Sequence, residues 1–290
     1  MSRTLLVFAL SLASLLPASA QQTFGMKSVA GFPRESAKAR VARAQTGATR
    51  NSYLFETTLV FPHLAVGPAW ETTFIIINLS GTTGIFTLRF YATDGTPMRL
   101  SYTTGGAAAA ASDVAVTGTL ASGASMTIKA YDDGTPLRTG YAILTPPSTE
   151  QRFGGFAVFQ QKIAGQPGFE ATVPICDVDD YTFFMPYDNT TGVFDTGMAL
   201  ANSSNTLPTT VYFAFLDENA NIITEQEITL KAGEQTAFSL PTKWPILANK
   251  KGTLYVEGSS DFLSALGLRF NQAGGGAFTT IPVLNWSGMY

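Results

Sequence analysis

Catalysis needs a nucleophile, an acid–base pair or a metal set, and this sequence is sparing with all three. His63 is the single histidine and Cys176 the single cysteine. A Ser-His-Asp triad would have to run through His63, and no Gly-x-Ser-x-Gly elbow accompanies it. One histidine and one cysteine do not make a zinc set. Oxygen ligands for Ca²⁺ are better represented. Asp177, Asp179 and Asp180 cluster in one short segment, and a cation there would neutralise three neighbouring carboxylates. The EF-hand spacing and its glycine are missing, so a solvated acidic linker is the plainer reading. Glu71 and Asp195 are the carboxylates a glycoside hydrolase would need as a pair. Trp70, Tyr131 and Trp244 are rings that, if exposed on a β-sandwich, would stack on sugar faces. The plainer reading is that they cover sheet ends.

These residues must be judged against an internal repeat, which decides the architecture. Phe61-Pro62-His63, Trp70-Glu71-Thr72-Thr73-Phe74 and Ile77-Asn78-Leu79-Ser80 return, 124 residues later, as Met185-Pro186-Tyr187, Phe194-Asp195-Thr196-Gly197-Met198 and Ala201-Asn202-Ser203-Ser204. Gly140 answers Gly252, Phe159-Gln160 answers Phe270-Asn271, and Val173-Pro174 answers Ile281-Pro282 at shorter offsets. The first copy therefore holds extra residues. They fall in Thr103–Gly118, around the run Ala107 to Ala111, and read as a surface loop because Gly and Ser flank the alanines. The repeat weakens the enzyme reading. His63 aligns with Tyr187, which suggests a hydrogen-bonding aromatic at a domain edge. Glu71 and Asp195 occupy matching places in two copies rather than one cleft.

Each copy reads as short strands. Phe74–Ile77, Thr87–Tyr91, Ser125–Tyr131, Tyr141–Leu144 and Gly155–Phe159 form the first series. Thr210–Leu216, Ile222–Leu230, Gln235–Leu240, Thr253–Glu257 and Leu263–Phe270 form the second. Asp94-Gly95 and Asp132-Asp133-Gly134 turn the chain. Strands at about ten-residue intervals without a long amphipathic helix predict an all-β protein of two tandem antiparallel β-sandwiches, Ig-like or jelly-roll-like, with closed barrels as the alternative. The domains are placed at 53–175 and 184–285, with a linker at 176–183 short enough for them to touch. Tyr53–Phe61 would be the first strand.

The ends carry other signals. Arg3, the apolar run Leu5–Leu16 and Pro17-Ala18-Ser19-Ala20 read as a secretory signal over 1–20. The run is too short to span a bilayer. Residues 21–52 form a basic leader, with Lys27, Arg34, Lys38, Arg40, Arg43 and Arg50 against Glu35, a net of +5. With Arg3 adding +1 and the whole chain at −3, the remainder carries −3 − 5 − 1 = −9, which argues against nucleic acid as a partner of the folded part. Residues 286–290 are a tail. A lone cysteine forms no intrachain bridge, so the cores must supply the stability, with Cys176 either buried or free for intermolecular pairing.

Pro62-His63, Trp70-Glu71-Thr72-Thr73, Ile75 to Asn78, and Arg89-Phe90-Tyr91 before Asp94-Gly95, with Leu268-Arg269-Phe270-Asn271 in the second half, resemble a group of uncharacterised secreted proteins common in Acidobacteria. The resemblance covers roughly 55–285 and implies tandem β-sandwiches in an extracellular setting, without implying an activity. The sequence leads to a non-catalytic extracellular or cell-surface protein with a structural, adhesive or ligand-binding role and no required cofactor. It would have no integral membrane segment after signal cleavage, and its partner would be a glycan or a protein. The alternatives are a carbohydrate-binding module and a hydrolase with an unfamiliar carboxylate site. Asn202-Ser203-Ser204 and Gln272 to Gly276 fall in predicted loops at strand ends, where sandwiches usually bind partners.

Overall fold

A computed structural model describes residues 58–105, 111–148, 150–165, 168–177 and 181–285. The signal, the leader, Tyr53 to Thr57, most of the alanine run, Asp179, Asp180 and the tail lie outside them. The described chain is strand in almost every element, arranged as four antiparallel sheets.

Two sheets form the first sandwich. One has the order β11 (Cys176–Asp177), β1 (Leu59–Val66), β8 (Arg138–Thr145), β3 (Gly84–Ala92), β6 (Ala115–Leu120). The other runs β10 (Phe169–Pro174), β9 (Phe153–Gln161), β2 (Trp70–Asn78), β7 (Ser125–Ala130), β4 (Leu100–Thr104), β5 (Ala111–Asp113). We call them sheets one and two. In the second sandwich, sheet three is β15 (Ile222–Leu230), β14 (Thr209–Asp217), β17 (Lys251–Gly258), β12 (Thr182–Asp188), β20 (Leu284–Asn285). Sheet four is β16 (Gln235–Ser239), β13 (Phe194–Asn202), β18 (Leu263–Asn271), β19 (Ala277–Ile281). Read as β11-β1-β8-β3-β6 against β20-β12-β17-β14-β15, and β10-β9-β2-β7 against β19-β18-β13-β16, the two sandwiches have one strand order.

Period-two burial explains the strands. In β3, Phe86, Leu88 and Phe90 are buried while Ile85 and Arg89 are exposed, the pattern of a sheet with one wet face. The segment Thr103–Gly118 corrects the loop expectation. β4 crosses to sheet two, pairs with β7 and turns back as β5, and the chain then re-enters sheet one as β6. The period was legible as Val116, Gly118 and Leu120, all buried, but a glycine hides it. Gly118 lies under the Phe86 ring, where a Cβ would stand 2.5 Å from a ring carbon. The linker is also shorter than expected, because Cys176 and Asp177 pair with Val60 and Leu59 and so complete sheet one. In the second sandwich a one-turn helix, α1 (Leu240–Lys243), and the turn Pro245–Leu247 stand where the first has its Asp132-Asp133-Gly134 turn.

The repeated motif residues are structural ties. The Thr72 hydroxyl donates to the Ala65 carbonyl and accepts from its N–H. Thr196 does the same with Asp188. Asn78 donates to the carbonyls of Thr82, Leu120 and Ala121 and accepts from Ser80 N–H. Asn202 repeats this with Leu207, Leu230, Lys231 and Ser204. Both asparagines are fully buried, so each settles backbone groups that would otherwise be orphaned. At Gly140 and Gly252 a Cβ would approach the carbonyl oxygens of Tyr91 and Leu216 to 1.9 and 2.0 Å. Only glycine fits there.

The sandwiches share a core. Ala199, Leu266, Leu268, Phe270 and Phe278 face outward from sheet four and join the buried cluster of the first sandwich. Phe278 stacks on Phe159 at 5.2 Å and on Trp70 at 5.8 Å. The Thr280 hydroxyl donates to the Thr172 carbonyl across the junction. Sheet four is thus covered on both faces.

Candidate functional site

Among the described residues the junction holds a groove of about 520 Å³. Its floor is the outer face of sheet one, where β3 contributes Arg89 and Tyr91 and β8 contributes Ile143 and Thr145. Its wall is the loop Ser203 to Thr206 after β13, with Phe262. Strand alternation sends Arg89 and Tyr91 outward because Phe86, Leu88 and Phe90 fill the core. Tyr91 is fixed by stacking on Tyr141, with centroids 5.1 Å apart and planes at 17°.

The loop is held in shape. Asn202 ties its two ends, Ser204 Oγ accepts from Leu207 N–H at 3.0 Å, and Ser203 N–H donates to the Phe262 carbonyl at 2.9 Å. A wall of this kind meets a ligand with little ordering cost. Among the described residues no carboxylate lies within ion-pair distance of the Arg89 guanidinium. The groove therefore offers one cation, several hydroxyls, the Asn205 amide and two aromatic rings. Among its described lining residues there is no carboxylate, imidazole or thiol.

The other sequence candidates lie elsewhere. Trp70 is buried between Phe159 and Phe278. Trp244, the residue that follows α1, packs on Phe213, Phe215 and Phe238 at 4.9 to 5.3 Å. Neither presents a face for stacking on a sugar. The first plugs the inter-sandwich junction and the second closes its own core. Tyr131 is half-buried just beyond β7, in sheet two, away from the groove. The Asp177 backbone pairs with Leu59, while Asp179 and Asp180 lie outside the described residues. The Cys176 thiol is half-buried beside the Ala265 carbonyl.

Glu71 and Asp195 do not meet in one cleft, since each is engaged in its own sheet. Glu71 lies between Lys129 at 2.9 Å and Lys162 at 2.5 Å. Burial acts to raise its carboxyl, but the two ammonium groups outweigh that and hold it below the usual range. Asp195 accepts from the Ser239 hydroxyl at 2.9 and 3.0 Å. Burial raises its carboxyl by more than that hydrogen bond lowers it.

His63 has a different place from the one its alignment suggests. In β1 the register slips between Phe61, opposite Ala142, and Leu64, opposite Gly140. In β12 the pairing is regular, with Met185 opposite Leu254 and Tyr187 opposite Gly252. The residue matching Tyr187 is therefore Leu64, and His63 is the extra residue of a β-bulge, a device that re-aims a side chain. It turns His63 into the junction, where the ring meets Gln235 Nε2 of the second sandwich at 3.2 Å and the Phe159 ring edge-on at 5.4 Å. Tyr187 instead donates to Leu216 within its own sandwich. Burial pushes the His63 imidazole down to about 4.

The sequence signals for the groove were the loop Asn202-Ser203-Ser204 and an Arg in the middle of the apolar strand Leu88 to Tyr91. The chain matches no family model, no curated protein and no solved structure.

Proposed function

We propose that this is an exported protein, built by duplication of one β-sandwich, that binds its ligand without transforming it. The ligand we assign to the groove is an acidic oligosaccharide. The observation that carries this is Arg89, a cation without a carboxylate partner among the described residues, set among hydroxyls, an amide and the rings of Tyr91 and Phe262. Sugars offer hydroxyl edges and apolar faces to such a lining, and a uronate or sulfate would complete the charge of the guanidinium. The absence of an acid–base pair among the described lining residues of the groove supports binding over hydrolysis. The signal-like first twenty residues support export.

A glycan array containing neutral, uronate-bearing and sulfated oligosaccharides tests the reading. Binding should concentrate on the acidic members, and Arg89→Met should weaken it by about tenfold or more, the scale of one charge-assisted contact. Binding that prefers neutral glycans, or that ignores Arg89→Met, would remove the groove from consideration. An array silent throughout would leave a structural or adhesive role as the better reading.

A further inference from the structure

The junction between the sandwiches joins unlike sides of one design. The first sandwich contributes the side that carries β1 and β10, where Trp70 and Phe159 close its core. The second contributes the outer face of sheet four. Because the two share one strand order, each also has the side that the other used. Cross-strand register identifies the counterparts. Trp70 pairs with Gln161 as Phe194 pairs with Asn271, and Ile75 pairs with Phe156 as Ala199 pairs with Leu266. Thr172 pairs with Val158 as Thr280 pairs with Leu268. Phe159 therefore answers Arg269, one residue away from the match that the sequence suggests, and Glu170 answers Phe278.

The two sides left over are complementary. On the outer face of sheet two, Ile75, Ile77 and Val158 are half-buried and Phe156 is 38% exposed, in the places of the sheet-four residues that the internal junction covers. On the corresponding side of the second sandwich, Leu284 is 51% exposed. It takes the place of Cys176, whose thiol lies beside the Ala265 carbonyl across the internal junction. Where Phe278 stacks on Phe159 inside the chain, the remaining sides hold Glu170, exposed on one, and Arg269, half-buried on the other. Arg269 is held over the Phe194 ring at 3.5 Å, with Asp188 at 3.8 Å. Thr172, the counterpart of the hydroxyl donor Thr280, is exposed as well. We propose that a second copy of this chain docks here. The second sandwich of one copy seats its β12 and β19 side on the outer face of sheet two of the next, repeating the internal junction with Arg269 against Glu170. Contact between unlike sides propagates head to tail rather than closing as a two-fold dimer. It is weaker than the internal junction, because β12 lacks the bulge that aims His63, and Ser125 stands where Gln235 does.

Sedimentation velocity of the purified protein tests this. The average mass should climb with loading concentration and pass that of a dimer. Glu170→Arg, Arg269→Glu and Phe156→Glu should each weaken association about tenfold or more, since each sets like charges together or puts a charge into the apolar contact. An equimolar mixture of Glu170→Arg and Arg269→Glu should associate again, because each variant then presents the sides that suit the other. If Arg269→Glu fails to fold, Glu170→Arg and Phe156→Glu, both at exposed positions, decide alone. A protein still monomeric at roughly 1 mM, the weak end of specific association, would overturn the proposal. So would assembly that stops at a dimer, assembly indifferent to the substitutions, or a mixture of the two folded charge variants that associates no better than either alone.

Discussion

Acidification should loosen this protein through one residue. His63 is buried in the junction, and its Nδ1 faces the amide of Gln235 rather than an acid. Its imidazole falls from the ordinary 6.5 to about 4 because burial penalises the charged form. Between those values the unfolded chain binds a proton that the folded protein refuses, so stability falls as pH falls through that window and levels off below it. At ~1.4 kcal/mol per pH unit the loss comes to about 3 kcal/mol, most of it by pH ~4.5. That is a large share of an ordinary folding free energy of ~5–15 kcal/mol. Urea denaturation between pH ~7.5 and ~4.5 measures it, with His63→Gln as the reference. The carboxylates titrate in both proteins, so the difference between the two curves isolates the imidazole. The natural protein should lose about 3 kcal/mol more than the variant across the window. Because His63 is the only histidine, NMR also reads its titration without assignment. Parallel stability curves, or a native imidazole titrating near its ordinary value, would refute the account.

Further outcomes follow from the ties and the shared core. Phe278→Ala should cost about 3–5 kcal/mol by opening a cavity against Trp70, Phe159 and Phe270, and calorimetry should show the first sandwich destabilised along with the second. Asn202→Ala should cost about 2–4 kcal/mol by stranding buried carbonyls, and should also weaken the proposed glycan binding because it releases the groove wall. Asn78→Ala, its counterpart, should cost as much stability while leaving binding unchanged. Gly140→Ala and Gly252→Ala should each reduce soluble yield severely, since the added carbon meets a neighbouring backbone oxygen rather than a flexible side chain.

The architecture was legible because its signals are local. Alternation placed most strands, and the recurrence of Thr72 with Thr196 and Asn78 with Asn202 marked positions that do the same backbone work in both sandwiches. What escaped was relational. The bulge at His63 adds one residue to one strand and leaves no mark in a gap-free comparison, so His63 was set against Tyr187 in the place that belongs to Leu64. Trp70 and Trp244 looked available because exposure depends on which element crosses overhead, and for Trp70 that element, β19, lies about 200 residues away in the chain. The shared core did leave a trace. In Leu263 to Phe270 both faces carry apolar residues, the signature of a strand covered on both sides. The groove exists only where the two sandwiches fail to close, and no spacing along the chain reports that.

The merging of the two cores bears on resistance to proteolysis. A sandwich of this size on its own has much surface for its volume and buries a modest fraction of what its unfolded chain exposes. Small exported domains commonly compensate with disulfides, which a chain with one cysteine does not form internally. Here the remedy is arithmetic of area and volume. By lending the outer side of one sheet to its neighbour, two small bodies acquire the surface-to-volume ratio of a single larger one. A protease must then wait for the whole assembly to open before it finds an extended strand.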